Sequence, residues 1–386
     1  MTPPEKLLAA ILRTEAPVWP SDWTRDDEDA LVQTAALQGV APLVAFLLDA
    51  RRGPALAAGT VRAGEASTEP GWPAHVLGAL HQQAAGAAAH HALRMRELGL
   101  ILEALAAQNV RPVLTKGVVL AHTLYPQPPL RPSFDVDLFV AVDDIGAVAR
   151  VFEDRGYRRS RQVSGPMVMP QFDYERKCEH GAWHIFDVHF RPVNPQVFAE
   201  TLTFEEVAAE AVDIEALGPL ARGTSARHAL LLACLHRVAH HPSEDRLIWL
   251  YDVHLLAESL SEGELWHLAA VADGKKVCGV LGAGLAAARA VFHTKLPVGL
   301  LEELERRSLA ASEHSRTFID GPNKIDVLLS DLRVVPRWRD RVRLLGQHVF
   351  PSSTYMLRLY DAHSRALLPA LYTHRLFTGA WRWLRS

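Results

Sequence analysis

The chain has 386 residues, 49% hydrophobic and 22% charged, a balance that excludes a largely disordered chain and a length that suits two or three modules sharing buried surface. Its formal net charge of −3 excludes a global attraction to nucleic acid and leaves only a local basic groove as a route to such a partner. Three cysteines, Cys178, Cys234 and Cys278, lie too far apart in sequence to suggest a disulfide framework or a metal-binding spacing, as expected in a reducing compartment.

The stretch from Met1 to Lys6 lacks a basic segment followed by a long apolar run, so no signal peptide is expected. No window approaches the ~20 apolar residues of a membrane-spanning helix. The expectation is a cytoplasmic protein without a transmembrane segment.

From Lys6 to about Leu48 the pattern is helical, with Leu7, Leu8, Ile11 and Leu12 at helical spacing, a break near Pro17 to Pro20, and a second run from Asp26 to Leu37. The Gly-, Ala- and Pro-rich stretch from Arg51 to Pro73 reads as a loop. Ala74 to Ala107 is helical again, with Leu93, Leu98, Leu100, Ile101 and Leu105 as its buried stripe. His81, His90 and His91 read as residues of that helix's surface.

Val110 to Leu114 is a short apolar run that ends in Thr115-Lys116-Gly117, after which Val118, Val119 and Leu120 begin a helix. A strand that enters a helix through a Lys-Gly turn presents backbone N–H groups, the positive end of a helix dipole and a cation together, a combination suited to phosphate. Lys116 is expected at an exposed turn. Tyr125 to Pro132 carries four prolines and is expected to be a rigid connection rather than a helix or a central strand.

In Phe134-Asp135-Val136-Asp137-Leu138-Phe139-Val140 the residues Phe134, Val136, Leu138 and Val140 alternate with the acids, the pattern of a strand with one buried face. Asp135 and Asp137 then share the other face. Two like charges side by side are destabilising unless a cation sits between them, so the stretch calls for a metal ion or an arginine. Asp143 is expected to cap a helix from Asp144 to Arg155 that Gly156 closes. Val168 to Lys177 and Ala182 to Phe190 read as a hairpin around Glu179-His180-Gly181, with Ile185, Asp187 and His189 on one face of its second strand.

Beyond Pro195 the pattern is almost wholly helical, including Ala226 to His240 and Leu247 to Leu260. His236 and His240 are one helical turn apart, a spacing that suits a metal, but no third ligand stands at matching spacing and helix packing or a polar contact is the preferred reading. The expected fold is α+β: a small mixed or antiparallel sheet with flanking helices over residues 109–195, between a helical region 1–108 and a helical domain 196–386.

Leu114-Thr115-Lys116-Gly117, Arg131-Pro132-Ser133-Phe134-Asp135-Val136-Asp137-Leu138 and Phe186-Asp187-Val188-His189 resemble the DNA polymerase β-type nucleotidyltransferase superfamily. More narrowly, they resemble a bacterial family of uncharacterised nucleotidyltransferases. Leu232-Ala233-Cys234-Leu235-His236 and Leu247-Ile248-Trp249-Leu250-Tyr251-Asp252 extend the likeness into the helical part. One departure stands out, since Lys116 precedes Gly117 where the superfamily usually has Gly-Gly or Gly-Ser.

The resemblance implies transfer of NMP from a nucleoside triphosphate to a hydroxyl of a small molecule, a protein or an RNA end, with Mg²⁺ or Mn²⁺ as cofactor. Asp135, Asp137 and Asp187 would be the metal ligands and catalytic acids, and Lys116, Gly117, Arg131 and His189 would hold the nucleotide. The helical wall offers His236, Arg246 and Asp252 as acceptor contacts. Two other classes compete: a nucleotide-binding or scaffold protein that does not catalyse, opposed by the intact three-acid set, and a metal-dependent phosphohydrolase, opposed by the lack of a His/Asp metal cluster.

Overall fold

A computed structural model describes residues 1–51, 71–159, 167–168, 171–179, 181–240, 245–321 and 323–383. Most of the expected Arg51 to Pro73 loop, and His180 of the expected hairpin turn, lie outside the described residues.

The first two helices of the N-terminal region start at capped residues. Helix α1 (Pro3–Leu12) begins at Thr2 and α2 (Arg25–Leu37) at Thr24, and in both the threonine accepts from a backbone N–H three residues on, whose acid side chain accepts from the threonine's own N–H. Helix α3 (Ala41–Ala50) follows Gly39, which takes a left-handed φ of 72°. Helix α4 (Ala74–Ala106) has 33 residues and is therefore about 50 Å long. Its buried stripe is Leu98, Ile101, Leu102 and Leu105. Leu100, expected in that stripe, is exposed, because two residues carry it some 200° around the helix from Leu98.

A seven-stranded sheet follows: β1 (Val113–Thr115), β2 (Val136–Phe139), β3 (Arg158–Arg159), β4 (Gln171–Lys177), β5 (Trp183–His189), β6 (Val212–Asp213) and β7 (Arg222–Gly223), in the order β3-β4-β5-β2-β1-β7-β6. Strand β2 lies at the centre, antiparallel to β1 and parallel to β5. It is buried on both faces along its whole length, so the acid-bearing face is an interior one. Phe134, expected to share the buried face, precedes the strand and is 79% exposed.

Two expectations change here. The segment beyond Pro195 is not wholly helical: β6 and β7 extend the sheet, β7 pairing parallel to β1 at Leu114↔Gly223. Two-residue strands are too short for period-two alternation to register. A Cβ on Gly223 would lie 2.7 Å from Ile214 Cδ1 and 2.9 Å from Val119 Cγ1, so glycine is what allows this edge to close. Asp143 also does not cap the next helix. Val142–Asp144 winds as a 3₁₀ turn before α6 (Ile145–Asp154), and that tighter winding already gives the Asp144 N–H a backbone partner, the carbonyl of Ala141.

Helix α5 (Lys116–Thr123) leaves β1 directly. After a short α7 (Phe204–Ala209), the C-terminal part is helical: α8 (Ala226–His240), α9 (Leu247–Ser259), α10 (Glu262–Gly274), α11 (Cys278–Phe292), α12 (Leu300–Ala310), and then α13 (Lys324–Val334), α14 (Trp338–Val349), α15 (Ser353–Leu359) and α16 (Leu368–Trp383). Among the described residues no single helix is long and apolar enough to cross a membrane.

Two apolar cores flank the sheet. One joins Leu98 and Ile101 of α4 to Val136 and Leu138 of β2, Val148 and Phe152 of α6, and Phe186 of β5. The other joins Phe139 of β2 and Leu120 of α5 to the N-terminal helices, through Leu8 and Leu31, and to the C-terminal helices, through Leu231, Val253 and Leu281. Helix α4 contributes Leu80 to one core and Leu98 to the other.

Candidate active site

The site begins with a register. Parallel pairing of β2 with β5 sets Asp137 beside Asp187 and Phe139 beside His189, while antiparallel pairing of β1 with β2 sets Thr115 opposite Asp137. Lys116, the next residue along, therefore starts α5 directly over Asp137.

Lys116 Nζ donates to Asp137 Oδ1 at 2.7 Å, and His189 Nε2 lies 3.0 Å from the same oxygen. The lysine nitrogen is also 3.5 Å from His189 Nε2, and that ring nitrogen is 3.8 Å from Asp187 Oδ2. Lys116 is thus not at an exposed turn. Its side chain is only 17% exposed, because the end of β1 aims it inward at the carboxylate. Its φ of 53° is left-handed, a conformation that costs a non-glycine residue about 1–2 kcal/mol and is characteristic of functional sites.

Burial shapes the ionisation of this group. It works against the Lys116 ammonium, yet the Asp137 carboxylate outweighs it and the pKa is raised. It also penalises the Asp137 carboxylate, but Lys116 and the bond from His189 hold Asp137 well below the usual carboxylate range. His189 is lowered by burial and then by the Lys116 charge, both of which disfavour its protonated form. Asp135 is raised by burial and by repulsion from Asp137. Asp187 is pushed up to about 9 by burial, by a hydrogen bond with Asp173 and by the Asp137 charge.

Asp173 was missed in the sequence. It stands directly opposite Asp187 in the β4–β5 hairpin, and the hydrogen bond between the two is one cause of the raised Asp187 pKa. The signal was available: a hairpin centred on position 180 pairs positions that sum to 360, and 173 is the partner of 187. Ser133 was also missed; its Oγ donates to the Asp135 backbone carbonyl at 2.7 Å and approaches Asp135 Oδ1 at 3.3 Å, bracing the acid just before β2 begins.

Asp137, Asp187 and His189 each offer one ligand atom, all within 4.8 Å of one another, so the His/Asp cluster whose expected lack opposed a phosphohydrolase is present. Two carboxylate oxygens and an imidazole nitrogen so placed fit a divalent cation. His189, expected to hold nucleotide, thus falls among the possible metal ligands, while Asp135 stands near enough to raise Asp187 by its charge.

The remaining expected residues divide. Arg131 and Asp252 are brought together in a buried ion pair, Nη2 to Oδ2 at 2.7 Å, and Tyr125 donates its hydroxyl to Asp252 Oδ1 at 2.8 Å. Each neutralises the other, so neither presents a free charge to a ligand. Gly117 lets this pair approach α5: a Cβ there would collide with Arg131 Nη1 and stand 3.0 Å from Ser133 Oγ. A small recess of about 50 Å³ runs beside the pair, lined among others by Lys116, Arg131, His236, Trp249 and Asp252. His236 of α8 stacks on His240 with ring centroids 5.1 Å apart and meets the Trp249 ring of α9 edge-on at 5.6 Å. Arg246 lies at the start of α9 with its guanidinium 4.9 Å from the Trp249 ring.

A family model described as uncharacterised nucleotidyltransferase matches residues 24–293. That span contains the whole sheet, every residue of the site, and the helices from α2 to α11. No curated protein matches the chain. The chain belongs to this nucleotidyltransferase family.

Proposed function

From that membership we propose that the protein transfers a nucleoside monophosphate from a nucleoside triphosphate to a hydroxyl acceptor. The observation that carries the reading is the register that sets Asp137 beside Asp187, with His189 within ligand distance and Lys116 overhead at the start of α5. In the reaction, the acceptor oxygen bonds to the α-phosphorus, the bond to the bridging oxygen breaks, and pyrophosphate leaves with the electron pair. A divalent cation such as Mg²⁺ or Mn²⁺, when bound, stabilises the charge on the entering and leaving oxygens.

Asp137 and Asp187, with Asp135 adjacent, would hold that cation. Asp187, ionised on binding the cation, would also accept the hydroxyl proton, a task for a carboxylate within hydrogen-bond reach of it. Lys116, released from Asp137, would meet the phosphates, helped by the first N–H groups of α5, whose N-cap Thr115 makes no side-chain cap bond. Arg131 and Asp252 would act as positioning residues, since their charges are spent on one another. His236 and Trp249, across the recess on α8 and α9, would face the acceptor or the base.

One observation favours a second reading, nucleotide binding without transfer: the Lys116 ammonium already supplies a positive charge at Asp137. The test is to incubate purified protein with each α-labelled nucleoside triphosphate, Mg²⁺ or Mn²⁺ and a cell lysate. Nucleotidyl transfer predicts label in an acceptor, with pyrophosphate released, and none with Asp137→Asn. Nucleotide that binds but never transfers its label selects the second reading.

A further inference from the structure

We propose that the cation held by Asp137, Asp187 and His189 is a divalent first-row transition ion, bound through His189 Nε2, in preference to Mg²⁺. The proposal rests on the nucleotidyl-transfer reading only for the expectation that a cation binds.

His189 is 3% exposed and its backbone is pinned in β5, with its carbonyl accepting from Val140 N–H at 2.9 Å. With Nε2 3.0 Å from Asp137 Oδ1 and 3.8 Å from Asp187 Oδ2, a cation between the two carboxylates meets the ring nitrogen as well. Lys116 Nζ occupies the same neighbourhood, 2.7 Å from Asp137 Oδ1 and 3.5 Å from His189 Nε2.

Ligand chemistry then selects the ion. Mg²⁺ is hard, keeps its waters and takes oxygen ligands. Imidazole suits first-row transition ions, and geometry and ligand type decide selectivity among divalent metals. For Nε2 to offer its lone pair, the ring proton must sit on Nδ1. That atom makes no hydrogen bond among the described residues, and His189 lines an apolar recess together with Thr224, whose buried hydroxyl likewise has no protein partner there. A proton on Nδ1 would point into this recess, where the Thr224 hydroxyl is a lining group that would accept it and steady the ring.

The test uses the metal-stripped full chain and Mn²⁺ as the probe, with and without a non-hydrolysable nucleoside triphosphate. Bound Mn²⁺ is counted by electron paramagnetic resonance, and its ligands are read from nitrogen modulation of the spin echo. The expected result is modulation from one directly bound imidazole, which changes when the protein is labelled with ¹⁵N-histidine and vanishes in His189→Gln. Wild-type protein should hold Mn²⁺ against Mg²⁺ by at least the ~10-fold that loss of an outer-shell partner costs a metal site, and His189→Gln should lose that preference. Should the variant fail to fold, the labelled wild-type protein carries the test alone. Bound Mn²⁺ without nitrogen modulation, equal affinity for Mg²⁺, or no binding in either condition would overturn the proposal. Label transfer in the assay above without nitrogen modulation overturns this inference and leaves the transfer reading standing; modulation without transfer does the reverse.

Discussion

Lys116 is the residue on which the site turns, because it is a cation tethered where a metal would bind. A unit charge and a divalent charge about 3 Å apart repel by roughly 11 kcal/mol even at an effective dielectric of ~20, so the ammonium and a metal ion cannot both contact Asp137 as Lys116 does now. Lys116→Met should therefore raise metal affinity in the absence of nucleotide. In the same variant, nucleoside triphosphate binding should weaken by the ~1.5–3 kcal/mol of one charge-assisted bond. Calorimetric titrations of metal alone and of metal with nucleotide measure both; metal affinity that falls in the variant would show that the lysine supports the site rather than filling it. Asp187 makes a second prediction. Its folded pKa of about 9 lies above the ~3.9 of an unfolded aspartate, so its contribution to the stability of the metal-free protein is full below the unfolded value and is lost as pH rises toward 9. Metal ligation requires the ionised form, so binding at neutral pH should release about one proton and affinity should climb with pH up to that range. Titration in buffers of different ionisation heat reads the proton directly, and Asp187→Asn should show neither the proton nor the slope.

At the scale of elements, the connection before β2 is anchored to α9 by the Arg131–Asp252 pair, with Tyr125 completing the carboxylate's partners. This contact joins the sheet to the helical wall and fixes the start of the strand that carries Asp137. Breaking one side of a buried pair leaves an uncompensated charge and costs about 3–5 kcal/mol. Arg131→Met and Asp252→Leu should each destabilise by that order, and the double variant by clearly less than their sum, as urea unfolding of the four proteins would reveal. Additive losses would mean that the two side chains do not depend on one another. Gly117 belongs to the same contact. Gly117→Ala should perturb α5 and the Arg131 side chain together, since the added methyl meets the guanidinium.

For the whole molecule, the first three helices are not an appendage. Leu8, Ile11, Leu31, Val44 and Leu48 lie in the same apolar core as Leu231, Val253 and Leu281. Gln38 accepts the Leu247 N–H through its side chain at 2.7 Å, and Arg13 donates to the Val291 carbonyl at 2.8 Å. Removing residues 1–50 would expose an apolar face on α8, α9 and α11 far larger than a stable monomer leaves open. The truncated chain should aggregate or lose its cooperative melt, as size-exclusion chromatography and circular dichroism would report. A truncated form that stays monomeric and melts at the full-length temperature would show those helices to be dispensable.

Local rules account for much of the site. The strand-to-helix passage at Thr115-Lys116-Gly117, the acids at Asp135 and Asp137, the hairpin bearing Asp187 and His189, and the long helices follow from period, turn chemistry and spacing. The family likeness read from those motifs agrees with the match over residues 24–293. Even Asp173 was within reach, through the hairpin's own arithmetic. Which charges meet depends on contacts between segments distant along the chain. The pairing of β2 with β5 joins residues fifty apart, and the ion pair of Arg131 with Asp252 joins residues more than a hundred apart; neither leaves a local pattern. Two-residue strands such as β6 and β7 are defined by their partners rather than by their own residues. The inward turn of Lys116 and its left-handed backbone depend on a buried carboxylate across the sheet, since electrostatic attraction in a low-dielectric interior acts between neighbours in space, whatever their separation along the chain.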